Sequence, residues 1–182
     1  MKKLISLLVA LVLTLSLSSV AMATPVFLES VGVTIDVPDD MQIQDVSEGD
    51  EYGWLIKGND ENLLYMYILR YKEKFAGRWL EDLTYEEVNE LFSRLIESLT
   101  DPQTSTCEYD GINALLLADG ALSEFHHLTF LNGWLSDLAV VSKNGTELTD
   151  EQLDTGVLML KSLQFEADSK EATDTDAIRA HK

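Results

Sequence analysis

Three side chains in this 182-residue chain have the types and spacing for acid–base or metal chemistry: Glu124, His126 and Asp137. They flank Asn132-Gly133, a dipeptide that favours a two-residue hairpin turn through positive φ. If that turn forms, Leu131 lies opposite Trp134, and His126 lies opposite Ala139. Phe125, His127, Thr129, Ser136 and Leu138 then share one face, while Glu124, His126, Leu128, Asp137 and Ala139 share the other. On that second face His126 is diagonal to Asp137 and two residues from Glu124. An imidazole between two carboxylates can hold a divalent metal such as zinc, or orient a general base in a hydrolase. The competing reading is a salt-linked sheet surface whose histidine only titrates. It is preferred because the sequence shows no further ligand and no open coordination position. His127 points the other way, so the adjacent histidines cannot chelate together, and it is expected to be a hydrogen-bonded core residue.

Other residues invite weaker readings. The connection from Glu73 to Asp82 carries Phe75, Arg78 and Trp79, an aromatic-plus-arginine loop of the kind that concentrates binding energy. The preferred alternative tucks Phe75 and Trp79 under the loop as a satellite of the core. Two oxygen-rich turns, Asp45 to Glu51 and Asn59 to Asn62, would suit calcium, but neither has the spacing of a calcium loop. They read as solvated turns, so no cofactor is predicted, with calcium and zinc as the ions these groups would suit. Nucleophile motifs are absent: there is no G-x-S-x-G elbow, no P-loop and no H-E-x-x-H. Cys107 sits beside Glu108, whose charge would raise a thiol pKa, making it a poor nucleophile. Tyr65, Tyr67 and Tyr71 form a row that could stack sugars, but a row at strand period reads as half of a core, with a helix such as residues 84–100 to cover it.

The elements that must position these groups are marked by local punctuation. Thr84-Tyr85-Glu86-Glu87 is a capping box, with Leu83 and Val88 placed as a hydrophobic staple. Val88, Leu91, Phe92, Leu95, Ile96 and Leu99 then line one helical face, and Asp101-Pro102 ends the helix. Thr149 to Gln152 repeats the box between Leu148 and Leu153, with Leu153, Val157, Leu160 and Leu163 as the buried stripe. Strands are expected over Val33–Val37, Met41–Val46, Tyr52–Lys57 and Leu63–Lys72. The last is apolar on both faces and reads as a central strand covered on both sides. Asp110-Gly111, Asp119-Gly120 and Asn132-Gly133 punctuate a meander after the first helix.

Composition bounds what the chain can meet. It has 32 Asp+Glu against 13 Lys+Arg, a formal charge of −19, which opposes nucleic acid or an anionic membrane surface as partner. One cysteine excludes an internal disulfide and paired-Cys zinc modules. Lys2 and Lys3, the apolar run Leu4–Leu17 and Ala21-Met22-Ala23 have the form of a cleaved signal peptide. The run is too short to span a bilayer comfortably, and no second apolar stretch follows, so no span remains after cleavage. Cleavage after Ala23 would remove Lys2 and Lys3 and no acid, leaving 159 residues and a formal charge of −21. The expected organisation is a signal peptide at 1–23, a single α+β domain at 24–165 and a flexible acidic tail at 166–182. The product is expected to be secreted, extracellular or periplasmic, and monomeric.

The order of these motifs resembles the PsbP-like superfamily. Gly32-Val33-Thr34-Ile35-Asp36-Val37-Pro38 follows an N-terminal hairpin, and Gly111-Ile112-Asn113-Ala114 starts a strand after the helix. An Asn132-Gly133-Trp134 hairpin comes next, and the last helix runs into Leu160-Lys161-Ser162-Leu163-Gln164-Phe165. The resemblance covers residues 26–166. It implies an α+β sandwich: an antiparallel sheet of about six to eight strands, including the N-terminal hairpin, packed by two main helices. It also implies a binding or accessory role without a shared active site, and it transfers no functional residue. The leading expectation is therefore a secreted, non-catalytic accessory or ligand-binding protein. The alternatives are a hydrolase using Glu124, His126 and Asp137, and a cell-envelope interaction module.

Overall fold

A computed structural model describes residues 23–31, 33–109, 112–131 and 133–165. Residues 1–22 of the proposed signal segment, the acidic tail, the Asp110-Gly111 turn, Gly32 and Asn132 lie outside the described residues.

A seven-stranded sheet runs through the domain, every neighbouring pair antiparallel. Its strands are β3 (Gln42–Asp45), β4 (Glu51–Lys57), β5 (Leu63–Tyr71), β6 (Gln103–Tyr109), β7 (Ile112–Ala118), β8 (Glu124–Leu131) and β9 (Trp134–Ser142), in the spatial order β3-β4-β5-β9-β8-β7-β6. The N-terminal hairpin does not join it. Strands β1 (Ala23–Leu28) and β2 (Val33–Pro38) pair with β10 (Gln164–Phe165) in a separate three-stranded sheet. That separation follows from burial: Val33, Ile35 and Val37 are at most 3% exposed, so β2 lies across the large sheet's face as a cover.

Helices α1 (Tyr85–Ser98) and α2 (Asp150–Lys161) begin where their capping boxes place them. Thr84 Oγ1 accepts the Glu87 amide at 3.3 Å and Glu87 Oε2 accepts the Thr84 amide at 2.8 Å. Thr149 and Gln152 repeat the exchange at 3.3 and 2.8 Å. All six stripe residues of α1 pack into one cluster with Leu115, Leu117, Leu128, Phe130 and Leu135 of the sheet. The helix ends at Ser98 because Leu99 turns extended (ψ 145°) and buries itself, ahead of the proline. The opposite face carries the larger cluster, covered by β2 and α2.

α2 sits closer to the sheet than its sequence stripe predicts. It buries Leu153, Gly156, Met159 and Leu160, while Val157 is only half-buried. A Cβ at Gly156 would lie 2.8 Å from Val140 Cγ2, so the missing side chain is what lets the helix dock there and rotates Met159 inward. The helix covering the tyrosine row is this one and not α1. The Tyr65 hydroxyl donates to the Gln152 carbonyl at 3.2 Å, and Tyr67 stacks on Trp54 at 5.7 Å between ring centres. Tyr71, at the strand's end, is 41% exposed and leans on Trp134.

Candidate functional site

The hairpin register is the one that a two-residue Asn132-Gly133 turn requires: Phe125 pairs with Val140, His126 with Ala139, His127 with Leu138 and Leu131 with Trp134. Gly133 has φ 94°, and a Cβ there would meet the Ala76 backbone at 3.1 Å, so glycine serves both the turn and its contact with the preceding loop. The turn before β8 is built differently from the Asp119-Gly120 hairpin expected. It spans five residues, and the Asp119 carboxylate gathers it by accepting the amides of Ser123 (2.6 Å) and Glu124 (2.9 Å) and the Ser123 hydroxyl (2.8 Å). This fixes the start of β8, and with it the phase of Glu124 and His126.

Glu124, His126 and Asp137 come together on the α1 face. His126 is 2% exposed. Its Nδ1 lies 3.1 Å from each Asp137 oxygen, and its Nε2 lies 2.9 Å from Glu124 Oε1. Carboxylates only accept, so each ring nitrogen must carry a proton and the imidazole is a cation. Burial alone would push its pKa down, but the hydrogen bonds and charges of Asp137 and Glu124 outweigh that and raise it to about 9. The result is a buried ion triad of net charge −1. In this arrangement both ring nitrogens are engaged by carboxylates. Among the described residues no group of three or more His, Cys, Asp or Glu side chains is arranged to hold a metal ion.

His127 is on the other face, as the alternation demands, and 3% exposed. Burial pushes its pKa down to about 4, so it is neutral at ordinary pH. The neighbouring histidines thus sit in opposite charge states on opposite faces of one strand.

The residues singled out between Glu73 and Asp82 are each engaged within the fold. Two short 3-10 turns, Glu73–Phe75 and Leu80–Asp82, replace the open loop. Phe75 is 2% exposed and meets the Phe130 ring edge-on at 5.5 Å. Arg78 grips Glu87 with two hydrogen bonds of 2.6 and 2.8 Å, which ties the segment to the first turn of α1. Trp79 is half-buried, and its amide donates to Asp82 Oδ2 at 3.0 Å. In the acidic turns, Asp45 accepts the Ser47 amide and Asp60 the Asn62 amide, so these carboxylates stabilise their own turns. Cys107 is half-buried with its pKa raised, and the cause is burial and not Glu108, which is exposed on the opposite face of β6.

Two features escaped the sequence. One is a cleft of about 340 Å³ between the N-terminal hairpin and β3, lined by Val26, Val37, Pro38, Met41 and Ile43 with Thr24 and Asp39, which hydrogen-bond each other at 2.7 Å. The other is the second face of β5. Leu64, Met66 and Ile68 were expected under cover, yet they are only half-buried and pack into neither core cluster. Their alternation with the tyrosines was readable. That α1 would cover only the other half of the sheet was not.

No protein-family model matches this sequence, and no curated protein does either. Among solved structures, the chain is similar to the solution structure of cyanobacterial PsbP (CyanoP) from Synechocystis sp. PCC 6803. The TM-score is 0.50 at 11% identity, covering 83% of this chain and 98% of that one. At that identity the likeness speaks for the fold alone: this is a PsbP-like α+β architecture.

Proposed function

We propose that this chain is an exported, non-catalytic accessory or binding protein. The observation that supports the reading is the ion triad. The histidine–carboxylate cluster that could have served a hydrolase has both imidazole nitrogens engaged, and its histidine is a buried cation that accepts no proton. PsbP-like topology is compatible with such a role, and no helix among the described residues is long and apolar enough to cross a membrane. Export rests on the form of residues 1–23.

The hydrolase reading is tested with zinc titration calorimetry on the exported protein and its His126→Gln variant, together with chromogenic carboxylic and phosphate esters. Equal heats and no turnover are expected. Heat or turnover that His126→Gln abolishes overturns the proposal.

Two surfaces could serve binding. The cleft beside Met41 is open to solvent and lined in similar measure by polar and apolar surface, with a volume at the lower end of the range of small-ligand sites. The half-buried strip of Leu64, Met66 and Ile68, which no helix among the described residues covers, fits the interaction-module reading.

A further inference from the structure

The expected cleavage site and the cleft beside Met41 meet at one residue. Cleavage after Ala23 makes Thr24 the first residue of the exported chain. The Ala23–Thr24 bond lies inside β1, with Ala23 opposite Pro38 and Thr24 opposite Val37. Thr24 and Val26 line the cleft from β1, and Met41 and Ile43 line it from the β3 side. The Thr24 hydroxyl donates to Asp39 Oδ1 at 2.7 Å.

The backbone phase of β2 fixes where the Thr24 nitrogen lies. The Asp36 amide donates to Ser162 Oγ at 2.8 Å, on the β10 side of β2. Backbone groups alternate sides along a strand, so the Val37 amide and carbonyl face β1 and their partner Thr24. The Thr24 nitrogen therefore lies against the Val37 carbonyl, two residues before Asp39. Pro25, which has no amide to donate, falls opposite Asp36 at the position that needs none. Cleavage consumes one water. Its oxygen joins the Ala23 carbonyl carbon as the C–N bond breaks, and its two protons end on the Thr24 nitrogen, leaving a carboxylate and an ammonium. One proton of that ammonium keeps the Val37 carbonyl, and the carboxylate already holding the Thr24 hydroxyl is within reach of another.

We propose that signal cleavage sets a latch: the α-ammonium it creates on Thr24 pairs with the Asp39 carboxylate and holds the start of β1 against β2 beside the cleft. The inference rests on the export reading and deepens it. β1 needs such a hold because burial fades toward its start: Leu28 is buried, Val26 half-buried, and Thr24 and Pro25 exposed. Among the described residues no basic side chain forms an ion pair with Asp39. Asp40 is exposed beside it, and Asp36 lies on the other face of β2, so the corner favours a cation. Lys57, the one basic residue of the adjoining β3–β4 pair, lies opposite Gln42 and is exposed. In the uncut chain the Thr24 nitrogen is a neutral amide, so the latch forms only after processing.

The test uses the exported protein, whose intact mass reads its first residue. NMR titration of the Thr24 α-amino group is run on wild type, on Asp39→Asn, and on Glu86→Gln, an exposed control on α1. Asparagine still accepts the Thr24 hydroxyl, so only the charge is removed. The wild-type group should titrate about half a unit higher than in Asp39→Asn, the effect of one unit charge about 5 Å away in water. That difference should shrink in about 1 M salt, and Glu86→Gln should match wild type. Below pH 7 the Val37 amide should exchange about threefold faster in Asp39→Asn, the same half unit read as an opening equilibrium. Equal titration in wild type and Asp39→Asn overturns the latch, as does a loss of the shift in Glu86→Gln. Cleavage at another bond overturns the latch and leaves export standing, whereas a mass retaining residues 1–23 defeats both. Turnover abolished by His126→Gln defeats the accessory reading without touching the latch.

Discussion

His126 and His127 should give the protein a stability–pH profile with a crest near pH 6.5, because adjacent histidines on one strand are shifted in opposite directions. An ordinary histidine titrates near 6.5. His126 holds its proton to about pH 9, so its contribution is complete below 6.5, where folded and unfolded chains are both protonated. It is lost as pH rises from 6.5 through 9, where only the folded chain keeps the proton. A shift of about 2.5 units is worth about 3 kcal/mol, and the burial of His126 spares it most solvent screening. His127 is the reverse case. With a folded pKa of about 4, its contribution is complete above 6.5 and is lost as pH falls from 6.5 through 4, again by about 3 kcal/mol. Urea unfolding from pH 4 to pH 10 reads both limbs. His126→Gln should flatten the alkaline limb and leave the acid one, and His127→Gln should do the opposite. Absolute stability of the variants is not the readout, since a buried ion cluster can be neutral overall even when its titration is steep. An alkaline limb that survives unchanged in His126→Gln refutes the imidazolium, and with it the argument against a catalytic histidine.

Three further outcomes follow from the packing. Gly156→Val should destabilise by about 1–3 kcal/mol, because a Cβ there meets Val140 at 2.8 Å and a larger side chain must push α2 off the sheet; a urea midpoint no lower than wild type would contradict the close docking. Iodide should quench one tryptophan of three, since Trp54 and Trp134 are 2% and 6% exposed while Trp79 is half-buried, and Trp79→Phe should remove the quenchable signal. Glu87, held down to about 2 by the Arg78 hydrogen bonds and the Thr84 amide, should titrate closer to an ordinary glutamate in Arg78→Gln, as read from its side-chain carboxyl NMR shift; an unchanged midpoint would mean the pair does not persist in solution.

Much of the fold could be read locally. Capping boxes involve four consecutive residues, and both formed as written, with Leu148 and Leu153 buried and Leu83 and Val88 partly buried. The β8–β9 register followed from one turn dipeptide: alternation excludes a one-residue slip, which would part Phe125 from Leu138 and Val140, and the two-residue turn selects among the rest. That register delivered the Glu124–His126–Asp137 cluster. It could not deliver the cluster's charge state, which depends on how closely the folded chain seats both carboxylates against the buried ring. The internal partners of the Glu73–Asp82 segment were unreadable for a similar reason. Phe75 is committed to Phe130 and Arg78 to Glu87, and both partners are remote in sequence or on another element.

The sequence alone determined which residues start each helix, which residues alternate on each strand and how the last hairpin pairs, because those depend on backbone preferences and neighbours a few positions away. Only the folded chain determined which face of the sheet each helix covers. The tyrosine row went under α2 because Gly156 admits it, and α1, spent on β7 to β9, left Leu64, Met66 and Ile68 half open. Coverage is set by the summed widths of layers and by burial over the whole domain, and no local stretch encodes either.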